Sequence, residues 1–223
     1  MRLLHLTLPV SNVETVADYF RDVLQQRVVG HHVHIGWSTI DLQPAGAHAT
    51  GGVHLAFNVP DNRFAEAMAW LRERTPLQRN PEGIDYFALE SNWQSQSVYF
   101  TGPDGLILEL IGRKRLPAGT HTGAFHGSEL QCLSEVGLPS DDVDAVRADA
   151  SARFGLQPLS PPSAQFAPMG DDEGLLIVVA ADRHWFPEQK DLPNAQGLVL
   201  QIGGVAGSGE LHDDARGWRV YTV

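Results

Sequence analysis

The stretch HLTLPVSNVETVADYF at residues 5–20 returns in altered form as HLAFNVPDNRFAEAMAWL at 54–71 and as EVGLPSDDVDAVRADA at 135–150. Each copy reads as a strand, a cap and an amphipathic helix. In the first, Ser11 and Glu14 have capping-box spacing. Val13, Val16, Ala17, Phe20, Val23 and Leu24 then recur along one helical face. The second helix begins after Pro60 and Asp61, with Phe64, Ala67, Met68 and Leu71 on one side. In the third, Asp141 or Asp142 is the cap, and Val143, Val146 and Ala150 form the face.

Runs with strand chemistry follow each helix. They are RVVGHHVHIG and STIDLQ in the first module, and DYFALES, SVYFTG and LILELIG in the second, where Pro-Asp-Gly marks a turn. AQFAPMG and GLLIVVA flank a Gly-Asp-Asp-Glu-Gly turn in the third. The pattern predicts an α+β fold of paired βαβββ modules, each helix covering one side of a sheet. The modules fall at 1–49 and 50–113, which together make one domain. KRLPAGTHTGAFHG (114–127) is a linker, and 128–223 is a degenerate second half. There QGLVLQIGG and GWRVYTV read as strands of a partial fourth module, and DRHWFPEQKDLPNAQG reads as a loop.

A net charge of −11 argues against nucleic acid or an anionic membrane as partner, because binding phosphates needs a basic face. The one basic run, GRKRLPAG, reads as a solvated linker. No window approaches the roughly 18 apolar residues of a membrane span, and MRLLHLTLPVSN turns polar too soon for a signal peptide. A cytoplasmic, soluble protein is expected. The single cysteine, Cys132, excludes an internal disulfide and a cysteine-based zinc site, and its apolar strand marks it as a small buried hydrophobe.

In GPDGLILELIG (102–112) a carboxylate, Glu109, interrupts an aliphatic run. Such a run reads as a strand buried on both faces, and a charge there is costly unless it is paired or binds a metal. The repeats offer partners. His5 and His54 open the same His-Leu-x-apolar pattern, and two imidazoles with one carboxylate make a divalent metal site. Asp41 in STIDLQP, or Gln43 on the same face, is the candidate fourth ligand. A single histidine on an apolar strand is more often a core or rim residue held by backbone, and Asp41 reads equally well as an exposed strand carboxylate. The third module carries Glu135 at the position of His5 and Val178 at that of Glu109, so the metal site is expected in the first half only.

On MRLLHLTLPVSNVETVADYF, GGVHLAFNVPDN and SVYFTGPDGLILELIG the chain resembles the vicinal oxygen chelate superfamily, which includes glyoxalase I, extradiol dioxygenases, epimerases and the bleomycin and fosfomycin resistance proteins. The resemblance covers residues 1–113 and extends faintly into the second half. It implies sheets closing around a divalent metal (Fe, Mn, Zn, Ni or Co) with His5, His54 and Glu109 at ligand positions and Asp41 near the fourth. It also implies a small-molecule substrate chelated through adjacent oxygens, with Glu109 or Asp41 doubling as a proton shuttle. A homodimer covering an open sheet edge is a further expectation.

A dioxygenase needs acid/base histidines. SNWQSQSVYF offers only Gln94 and Gln96, which leaves His31, His32 and His34, read equally as a solvated hairpin face. For the glutathione site of a glyoxalase, Arg2, Arg21 and Lys114 are the available bases. His184, Trp185 and Phe186 form either a lid over an apolar cavity or an aromatic plug anchoring the second half. The rival function is a metal-free drug-binding protein of the resistance type, for which the net negative charge favours a cationic ligand.

Overall fold

The computed structural model describes residues 1–223. Module one comprises β1 (Arg2–Val10), α1 (Val13–Asp18), β2 (Arg27–Val29), β3 (His32–Ile35) and β4 (Ser38–Pro44). Module two comprises β5 (His54–Val59), α2 (Phe64–Arg72), β6 (Phe87–Leu89), β7 (Ser95–Thr101) and β8 (Ile107–Arg113). Module three has β9 (Cys132–Ser140), α3 (Val143–Phe154), β10 (Phe166–Asp171) and β11 (Gly174–Ala180). The remnant of a fourth contributes β12 (Val199–Gly203), β13 (Glu210–Asp213) and β14 (Trp218–Thr222) without a helix, so β13 is a strand that the repeats did not reveal.

The caps explain where the helices begin. Asn12, not Ser11, caps α1 by accepting from the Thr15 backbone N–H at 2.9 Å. Ser11 instead bonds Asp104 across the module boundary, so the capping box expected there is not formed. Asp142 caps α3 through the Ala145 N–H at 2.9 Å, and Gly155 ends that helix in the left-handed conformation at φ 73°.

Pairing does not follow chain order. One seven-stranded sheet runs β13-β14-β12-β1-β4-β3-β2, and the other runs β10-β11-β9-β5-β8-β7-β6. Module one therefore shares a sheet with the fourth remnant, and module two shares one with module three. Each sheet draws strands from both sides of the 114–127 connection. The joining strands are antiparallel, β1 to β12 and β5 to β9.

A core of 47 buried residues, including Leu6, Phe20, Phe57, Phe64, Phe154 and Trp218, ties both sheets and all three helices together. Truncating an aromatic such as Phe57 there costs about 3–5 kcal/mol. A smaller cluster of Ile107, Leu175, Ile177, Val179 and Trp185 covers the opposite face of the second sheet. That face carries the site. Burial on both sides explains why β5, β8 and β9 are buried throughout, whereas β1 and β4 alternate between buried and partly exposed residues.

Candidate metal centre

His54 opens β5, Glu109 lies mid-way along β8, and Glu135 lies in β9; all three side chains are buried. The ladders bring them together. Ala56 pairs with Glu109 on one side of β5 and with Glu135 on the other, so the two carboxylates flank the strand that begins with His54. His54 Nε2 stands 3.6 Å from Glu109 Oε2 and 3.6 Å from Glu135 Oε2. One donor atom from each residue lies within 4.8 Å of the other two. The other ring nitrogen, Nδ1, is 3.2 Å from the Ile107 carbonyl; if it is the protonated one, it donates there and leaves Nε2 free for the centre.

Two carboxylates this close repel by roughly 3–4 kcal/mol at an effective dielectric of about 20, several times thermal energy. One must take up a proton or face a cation. Arg113, the last residue of β8, decides which. Its fully buried guanidinium bonds Glu135 Oε1. Burial works against the Glu135 charge, yet His54 and Arg113 together hold its carboxyl below the usual range. No guanidinium bonds Glu109 directly; Arg113 bonds Glu135 instead. Burial, then the Glu135 charge, push Glu109 well above the ordinary carboxylate value, against weaker opposition from Tyr99, Arg113 and Ser97. Tyr99, opposite Glu109 in the β7–β8 ladder, is raised well above its ordinary value by burial and then by the two carboxylates.

A cavity of about 290 Å³ opens onto this cluster. Its walls are Phe87, Leu89, Trp93, Ile111, Phe166, Ile177, Trp185 and Phe186, with Ser95, Ser97, Tyr99 and Arg183 among them. The 181–198 loop between β11 and β12 forms its roof with Arg183, Trp185 and Phe186. Trp185 packs on the His54 ring with centroids 5.0 Å apart and donates from its indole N–H to the Gly52 carbonyl at 2.8 Å. Gly137 makes the room: a Cβ there would stand 2.6 Å from the Trp185 ring and 3.2 Å from the His54 Cβ. Phe186 sits edge-on to Phe87 and Tyr99. Trp185 and Phe186 thus form a wall of the cavity, whereas His184 is exposed.

Of the four expected ligands, the fold brings His54 and Glu109 together and leaves His5 and Asp41 elsewhere. His5 lies on β1 in the other sheet, paired with Thr39 and Gln201. Asp41 lies on β4, where Gln43 donates to it at 2.8 Å and His32 stands 3.5 Å away. His34 is 3.4 Å from Thr39 and His32 is exposed, both on β3 of that other sheet, and the exposed His31 lies in the turn between β2 and β3. The expectation of a site confined to modules one and two is corrected: the cluster spans modules two and three, and Glu135 is its third member. The basic run was also misread at one position, since Arg113 is fully buried while Lys114 and Arg115 are exposed. Glu135 was legible by the argument applied to Glu109, a carboxylate within the apolar run CLSEVGL.

The donor set suits a divalent ion. Two carboxylate oxygens and an imidazole nitrogen, buried and convergent, match the oxygen- and nitrogen-rich sites of Mn, Fe, Zn, Ni or Co. The negative charge of Glu135 that helps raise the Glu109 carboxyl is charge a cation would neutralise.

No protein-family profile matches the chain, and no curated protein does. Solved structures do. A proposed dioxygenase from Bacillus subtilis subsp. subtilis str. 168 aligns over 100% of this chain and 85% of its own length, at 15% identity and a TM-score of 0.61. Glyoxalase I from Zea mays aligns over 100% of this chain and 92% of its own, at 16% identity and a TM-score of 0.57. The chain has the fold of the vicinal oxygen chelate proteins, built from tandem βαβββ modules. No helix is long and apolar enough to cross a membrane.

Proposed function

We propose that this protein is a metal-dependent enzyme of the glyoxalase or dioxygenase type, acting on a small molecule in the cavity beside His54. The observation that carries this reading is the convergence of His54, Glu109 and Glu135 on one point at the floor of an apolar cavity. In this reading those three residues hold a divalent ion, which when bound would act as a Lewis acid toward adjacent oxygens of the substrate. The fold shared with glyoxalase I and the Bacillus protein supports the class.

The chain's own groups have definable parts. His54 and Arg113 hold the Glu135 carboxyl below its usual range, and the bond to Arg113 orients it. Glu109, a carboxylate facing the cavity from the cluster, is the group able to take a proton from the substrate and return it. Trp185, Phe186 and Trp93 exclude water, which strengthens every charge interaction inside. Among the polar groups of the cavity there is no second histidine, so proton transfer falls to Glu109 and Tyr99.

The test is metal content of protein purified without chelators, beside His54→Ala, followed by assays for dicarbonyl isomerisation and aromatic ring cleavage. About one equivalent in the wild type, lost in the variant, is expected. Absence of metal even after reconstitution with Mn, Fe, Zn, Ni and Co would sink the reading. The aromatic walls of the cavity then favour the second one, a metal-free small-molecule binder.

A further inference from the structure

We propose that the ligand of this cavity is a flat, largely apolar molecule bearing one carboxylate, and that Arg183 is the residue that selects it. The inference deepens the reading above, since it concerns the same cavity. Arg183 lines that cavity from the roof loop, its guanidinium 5.0 Å from the Phe166 ring centroid. It is partly buried, and no carboxylate pairs with it. Every other arginine has an acidic partner except Arg27, which lies exposed on β2. Burial draws the Arg183 guanidinium below its ordinary value, the mark of a cation that has lost water without gaining a partner.

The carboxylates of the cavity already have partners within the cluster: Arg113 bonds Glu135, and His54 stands 3.6 Å from both Glu135 and Glu109. Arg183 is the lining cation left for an incoming molecule, although the protein as a whole carries −11. At contact distance the local cation prevails, because exposed charges more than about 8 Å away are largely screened at physiological salt. A planar guanidinium offers two parallel N–H donors, which fit a carboxylate. Rigid aromatic walls (Phe87, Trp93, Trp185 and Phe186) fit a ring, and about 290 Å³ accommodates one.

The experiment is calorimetric titration with phenylacetate and with its neutral isostere phenylacetamide. Wild type, Arg183→Met and Arg183→Lys are compared, each chelator-treated and Mn(II)-loaded, with Mn(II) stoichiometry measured separately. Met preserves the packing on Phe166 without the charge. Wild type should bind phenylacetate at least tenfold more tightly than phenylacetamide in the chelator-treated state. Arg183→Met should reduce that ratio to within twofold without changing Mn(II) stoichiometry, and Arg183→Lys should retain part of it. Equal affinity for both probes, binding of neither, or a preference that survives Arg183→Met overturns the proposal. Failure of Mn(II) binding with the preference intact removes the enzymatic reading alone. Normal Mn(II) binding without the preference removes the Arg183 assignment alone.

Discussion

Glu135 gives one carboxylate oxygen to Arg113 and turns the other toward His54 Nε2 at 3.6 Å. The bond to Arg113 fixes the carboxylate without occupying the oxygen that faces the centre. Arg113→Met should therefore weaken metal binding by roughly 10–100-fold, the usual effect of losing a group that orients a ligand. Leaving a buried carboxylate without its cation also costs about 3–5 kcal/mol of stability. Glu135→Gln in the same background should recover part of that stability but not the metal affinity. Thermal unfolding with and without Mn(II) separates the two effects.

Glu109 sets a pH dependence of opposite sign from that of an ordinary surface acid. Its folded value is raised above the unfolded value of about 4.3, so the folded state binds more protons. The stability contributed by neutral Glu109 is complete below the unfolded value and is lost as pH rises through the folded one. Metal-free Glu109→Gln should thus be more stable than wild type at pH 8, and the gap should close towards pH 4. At about 2–4 °C per kcal/mol for a chain of this size, a rise of a few degrees is expected. Metal binding to wild type should release a proton and tighten as pH rises; calorimetry in two buffers of different ionisation heat measures that proton.

Glu129 shows the usual sign. Burial raises its carboxyl, but Arg63, the His126 backbone N–H and His121 outweigh it and hold the group below the ordinary value. Its contribution is present above the unfolded value and is lost as pH falls through the folded one. This pair, with the Arg63 bond to the Gly123 carbonyl at 2.9 Å, fastens the 114–127 connection to the turn preceding α2. Glu129→Gln should flatten the acid limb of the stability profile below pH 4.5 and leave metal binding unchanged. Loss of metal binding in that variant would show that the connection itself shapes the site.

Gly137 is required by close approach, not by its backbone angles. A methyl group there would strike Trp185. Gly137→Ala should displace the indole from His54, alter tryptophan fluorescence and weaken ligand binding in the cavity, with a smaller effect on metal stoichiometry. An unchanged emission spectrum would contradict this packing argument.

Much of this was legible in the residues. The strand–helix repeat carried the module plan, and the charge in LILELIG led to Glu109 and to His54. Cys132 is buried as its apolar strand implied, and burial pushes its thiol up to about 12, so it should resist alkylation at neutral pH. Pairing between modules was not legible. Periodicity specifies which face of a strand is buried, not which strand lies beside it, and the neighbours here are set by tertiary packing over long separations. With chain-order pairing assumed, His5 became a partner of His54 and Glu135 became a lost ligand. The antiparallel register of Leu55 with Val136 reverses both assignments.

The most direct test is metal stoichiometry in Glu135→Ala and His5→Ala, purified side by side without chelators and checked for folding by circular dichroism. The account predicts about one equivalent of divalent metal in His5→Ala, as in wild type, and a loss of most of it in Glu135→Ala. Metal retained in Glu135→Ala and lost in His5→Ala would contradict a centre built between modules two and three.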